Sequence, residues 1–141
     1  MSKQFIDALK NRRSIYGISK EQVISDEKIQ EIVNDAVKYT PSSFNSQSTR
    51  VVVLLGEQHD KLWNVTEDVL KAVVPADSFA PTAEKMAAFR AGYGTILFFE
   101  DYEVIEGLQA SFPSYADNFP VWSHHTSAMH PLVIWTALEA E

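Results

Sequence analysis

PSSFNSQSTRVVVLL, residues 41–55, changes character at its middle. The segment from Thr40 to Thr49 is polar, opens with a proline and is dense in Ser and Asn, so it reads as a loop. Val51 to Leu55 is an unbroken β-branched and apolar run closed by Gly56, which predicts a fully buried strand. Upstream, Ile29, Ile32, Val33, Ala36 and Val37 keep the spacing of one buried helical stripe. Ser25 is placed to cap that helix, and Asp26 and Glu27 put acid in its first turn. Phe5, Ala8 and Leu9 predict an earlier helix over about Lys3 to Arg12, with Arg12 and Arg13 at the negative end of its dipole. Downstream, Leu62, Thr66, Val69, Leu70 and Val73 predict a helix stopped by Pro75, and Ala80 to Ala91 a short one ended by Gly92. Thr95 to Phe99 reads as a second buried strand. Gly107 and Pro113 break up the next stretch, and a last helix is expected from near Val121.

Mixed elements with few strands give an α+β class. Met129, Leu132, Val133, Thr136 and Leu138 mark an apolar helix still in progress near the C-terminus, where Glu139 and Glu141 oppose its dipole and no glycine cap follows. Two strands are also few for a sheet that carries a domain. The expectation is a single domain over residues 1–141, the N-terminal portion of a fold whose further strands are missing. Pro131 falls inside the last helix, where it removes a backbone bond to Ser127 and costs ~3 kcal/mol unless the helix bends.

The net charge of −7 and pI near 5.0 argue against a nucleic-acid groove, although a few arginines suffice for a local anion site. The absence of cysteine excludes disulfides, thiolate metal sites and a cysteine nucleophile, and fits a reducing compartment. The start of the chain lacks the apolar run of a signal peptide, and no stretch approaches the ~18 apolar residues of a membrane span. A cytoplasmic protein is expected.

Two segments carry chemistry. Arg12-Arg13-Ser14, followed by Tyr16, offers two guanidinium forks and a hydroxyl, the donors that a phosphate monoester takes best. Two arginines that end a surface helix serve equally well as solvated dipole partners. Pro41 to Gln47 concentrates short donors and acceptors around one aromatic ring. A flavin ring presents acceptors at N1, N5, O2 and O4 and a single donor at N3, and Asn and Gln carboxamides satisfy both kinds. An ordinary helix-to-strand connection has the same composition.

Together, RRSIY (residues 12–16), a helix, then PSSFNSQ leading into VVVLL resembles the FMN-dependent nitroreductase family, most closely its branch of short bacterial and fungal members. The likeness extends through NFPVWS at 118–123 and the apolar helix beyond. The resemblance implies a nitroreductase-like sandwich of helices around a small mixed sheet, incomplete in this chain. It also implies an intertwined homodimer with two FMN molecules in the interface. Arg12, Arg13 and Ser14 would hold the phosphate side. Ser42, Ser43, Asn45 and Gln47 would reach the ring, in part from the opposite subunit, and Tyr16 matches a further contact. The implied activity passes electrons from NADH or NADPH through FMN to a nitroaromatic or quinone, with no side chain named as catalytic. A chain ending at Glu141 would lack part of the site, so weak retention of FMN is expected. The alternative is a truncated, non-catalytic dimeric member without flavin; a module for another anionic ligand at Arg12 and Arg13 is a third class.

His124, His125 and His130 lack the i, i+4 spacing of paired metal ligands, and read as half-exposed helix residues near an interface. Trp63, Trp122 and Trp135 have no basic stripe beside them and read as core or interface. Gly92-Tyr93-Gly94 lacks the rest of a phosphate loop and reads as a turn.

Overall fold

The computed structural model describes residues 2–141, and its chain divides into two compact units. The first comprises the N-terminal segment through Arg13, Asp26–Val52 and Leu97–Glu141; the second comprises Ser14–Ser25 and Val53–Ile96.

In the first unit, α1 (Ser2–Asn11), α2 (Asp26–Tyr39) and α5 (Tyr102–Ser111) pack against α6 (Asn118–Glu139). The expected stripe of α2 is buried at Ile29, Ile32, Val33 and Ala36, and α2 packs on α6, whose Phe119 and Ile134 are buried too, as is Ile105 of α5. Helix α6 passes through Pro131 without a break and begins three residues before the expected Val121. Helix α5 departs from expectation, because Gly107 reads as a breaker. It forms because a mid-helix glycine costs only about 1 kcal/mol against alanine, while Ile105 is fully buried and Asp101 caps the Glu103 N–H at 3.2 Å.

Strands β1 (Thr49–Leu55) and β2 (Gly94–Glu100) pair antiparallel and run through both units. Just past their ends the Asp101 N–H donates to the Ser48 carbonyl at 2.8 Å. The expectation of fully buried strands fails. Val52 is 42% and Phe99 51% exposed, since a two-stranded ribbon leaves one face uncovered.

In the second unit, α3 (Gly56–Val73) packs on α4 (Ala80–Arg90). Helix α3 starts six residues before Leu62, at Gly56, whose φ of +53° is a glycine conformation. Its first turns carry no apolar periodicity because the core position there belongs to a histidine. His59 is 1% exposed. Its Nε2 faces the Arg90 carbonyl at 3.1 Å, and its Nδ1 faces the Thr95 hydroxyl at 2.8 Å. A carbonyl only accepts, so Nε2 carries the proton and Nδ1 accepts from Thr95, which in turn accepts from Trp63 Nε1 at 3.0 Å. Every polar atom of this buried triad is satisfied.

Among the described residues, no helix is long and apolar enough to cross a membrane.

Candidate functional site

The polar loop adopts a backbone that its sequence alone would not choose. Phe44, Asn45 and Gln47 all have positive φ, at 55°, 50° and 50°. Non-glycine residues in this region cost of order 1–3 kcal/mol each and persist where the surroundings over-determine them. The surroundings here are identifiable. Ser43–Asn45 form a 3-10 turn in which Asn45 N–H donates to the Ser42 carbonyl (3.0 Å) and Ser46 N–H to the Ser43 carbonyl (3.1 Å). Gln47 N–H donates to Ser42 Oγ at 3.1 Å, and Gln47 Nε2 to Asn45 Oδ1 at 3.2 Å.

Phe44 pins the loop to the helices. Its ring stacks on Trp122 and lies edge-on to Phe119, with Phe112 and Tyr115 also in contact at centroid distances of 5.0 and 5.6 Å. The far end is tied to the sheet. Ser48, fully buried, donates to Glu100 Oε2 at 2.6 Å, Thr49 donates to Glu100 Oε1 at 2.7 Å, and Arg50 pairs with Asp101 at 2.9 Å. Arg50 also donates to the Gln47 carbonyl at 2.8 Å. The loop is therefore a fixed scaffold for its carboxamides.

Ser42, Asn45 and Gln47 line one cavity of about 380 Å³, a size suited to a cofactor ring. Ser43 is not among its walls; its carbonyl closes the turn instead. The remaining walls come from α2 (Val37, Lys38), Thr40, β1 (Thr49, Arg50) and α6 (Thr126, His130). Lys38 and Arg50 bring positive charge, and Thr40 Oγ1 is buried with no hydrogen-bond partner. The expectation for His130 is corrected: it is 3% exposed, and its Nδ1 lies 2.9 Å from the Thr126 carbonyl. His124 and His125 are exposed. A signal for His130 was present in the sequence. Phe119, Ser123, Thr126, His130 and Ile134 form one buried stripe of α6, and polar residues on such a stripe need partners.

The arginine pair lies elsewhere and does not line this cavity. Arg12 is half-buried at the end of α1, its guanidinium carbon 4.1 Å from the centroid of the Trp135 ring. Its Nε–H is buried without an acceptor, a cost of about 1–3 kcal/mol. Arg13 is exposed. Ser14 and Tyr16 are exposed residues at the start of the second unit.

A family model described as the nitroreductase family matches residues 9–133. The chain belongs to the nitroreductase family. The Saccharomyces cerevisiae protein HBN1 is 40% identical over 139 residues, which cover 96% of this chain and 68% of that protein. The Lactococcus lactis nitroreductase CinD, solved in complex with 4-nitrophenol, is 43% identical with a TM-score of 0.82, over 96% of this chain and 68% of CinD. Other CinD structures hold chloramphenicol and nicotinic acid. A Desulfovibrio desulfuricans protein solved with FMN shares the fold at 20% identity and a TM-score of 0.60, over 95% of this chain and 62% of that one. The likeness to CinD establishes a nitroreductase fold, and the family makes the chain an oxidoreductase by descent.

Proposed function

We propose that this nitroreductase binds FMN and passes electrons from NADH or NADPH to nitroaromatic or quinone acceptors, as a homodimer in the cytoplasm. The observation that carries the reading is the cavity at the strained loop. Ser42, Asn45 and Gln47, expected as ring contacts, share it with Lys38, Thr40, Arg50 and His130. FMN would supply the redox chemistry, accepting hydride from the nicotinamide and handing electrons to the acceptor. The chain's own residues bind and orient. Arg12 and Arg13, with Ser14, offer donors for the phosphate, and Arg12 is held in a fixed plane by Trp135. The loop, with Ser43 shaping its turn, presents carboxamides to the ring edge. Aromatic ligands of CinD agree with a flat acceptor.

Arg12 and Arg13 do not line the loop's cavity, which fits a site completed by two subunits. Helix α6 favours the same arrangement. Val121, Leu132, Val133 and Trp135 are all at least 40% exposed, an apolar surface that a second copy would cover. The test is stopped-flow reduction of the purified flavoprotein by NADH or NADPH, then reoxidation by 4-nitrophenol or a quinone. Both half-reactions are expected; failure of bound flavin to be reduced by either nucleotide would overturn the activity.

A further inference from the structure

Resting on the FMN reading, we propose that His130 Nε2 is the hydrogen-bond acceptor for the imide N–H at flavin N3, so that the cavity recognises the pyrimidine edge of the ring.

His130 Nδ1 faces the Thr126 carbonyl, an acceptor only, at 2.9 Å, so in the neutral ring Nδ1 carries the proton. Nε2 is then left with a lone pair. Capping a carbonyl one turn back accounts for Nδ1 and leaves Nε2 without a partner, although the residue is 3% exposed and lines the cavity. Unlike the Thr40 hydroxyl, this nitrogen is not sealed off, so water or a ligand's donor in the cavity can satisfy it, and a flavin that displaces the water must supply the donor. Beside it the cavity wall carries the Lys38 ammonium and the Ser42 hydroxyl, whereas Arg50 is engaged by the Gln47 and Thr49 carbonyls and Asp101, and the Thr40 hydroxyl lies beneath the surface. Asn45 Oδ1 is already taken by Gln47. A flavin pyrimidine edge reads acceptor, donor, acceptor along O2, N3–H and O4. An imidazole acceptor in a wall that also carries the Lys38 ammonium and the Ser42 hydroxyl is suited to it.

The experiment compares FMN with its N3-methyl analogue, titrated by fluorescence into flavin-stripped wild type, His130→Phe and His130→Gln. Wild type is expected to bind the methylated analogue about tenfold or more weakly than FMN, the loss of one buried hydrogen bond. His130→Phe should bind the two within about twofold, while His130→Gln, which keeps an oxygen near the Nε2 position, should retain the preference. In wild type, the Nε2 resonance should shift on adding FMN and not on adding the analogue, a readout independent of how the variants fold. Equal binding of both flavins by wild type, or a preference that survives in a folded His130→Phe, would overturn the role of His130 and leave FMN binding intact. No binding of either flavin would overturn both.

Discussion

Phe44 and Trp122 stack with centroids 5.7 Å apart and planes inclined by 18°, joining the strained loop to the long helix α6. Phe44 occupies this place with φ at 55°, so its ring holds the chain in a conformation its backbone disfavours.

Substitution at Phe44 should therefore invert the usual ranking of small residues. Phe44→Ala removes the ring and keeps the left-handed penalty, for an expected loss of about 1–3 kcal/mol. Phe44→Gly removes both, and should be the milder change by roughly 1 kcal/mol. Urea denaturation of the two variants checks this. An alanine variant more stable than the glycine variant would show that the loop is not strained at this residue.

Arg12→Ala should weaken FMN binding by roughly 1.5–3 kcal/mol, the worth of a hydrogen bond to a charged group. Trp135→Leu should weaken it less, because the guanidinium remains but loses the ring that orients it at 4.1 Å. Fluorescence titration separates the two, and an unchanged affinity in Arg12→Ala would remove that residue from the site.

His59→Ala in the second unit should destabilise by about 2–4 kcal/mol, combining a cavity with the Thr95 hydroxyl left without its acceptor. The fixed tautomer also predicts that the imidazole proton resides on Nε2, which nitrogen NMR reads directly. A proton on Nδ1 would contradict the triad of His59, Thr95 and Trp63.

Glu67 accepts from Lys71 and Arg90, each at 3.0 Å, and these bonds, that from Lys71 first, hold its carboxyl below the ordinary 4.5. A carboxyl whose folded pKa is depressed stabilises the fold above its unfolded value and loses that contribution as the pH falls through the folded one. Glu67→Gln should therefore flatten the acid limb of the stability curve below about pH 4.5 and leave the slope near neutrality unchanged. Parallel acid denaturation curves for the variant and wild type would count against the interaction.

The elements were legible where one local signal dominated. The Ile29 to Ala36 stripe located α2, and the Val51 to Leu55 run located β1 to within two residues. Signals failed where tertiary contacts outweighed local preference. Gly107 sits in α5 because Ile105 and the Asp101 cap hold that helix, and the first turns of α3 hide their core residue in His59. At the site, Ser42, Asn45 and Gln47 could be read from one polar segment. Lys38, Arg50, Thr126 and His130 reach the same cavity from α2, β1 and α6, so no spacing rule along the chain joins them. The left-handed turn at Phe44 was equally hidden, since its cause lies in rings at positions 112 to 122.

The measurement that bears most directly on the account is the FMN bound per subunit when the stripped chain is titrated with FMN, read at equilibrium by quenching of flavin fluorescence. The account predicts saturable binding that approaches one FMN per subunit, weakened both in Arg12→Ala and in an Asn45→Ala, Gln47→Ala double variant, because the phosphate and the ring draw on both segments. Saturable binding unaffected by either change, or no binding of FMN at all, would contradict it.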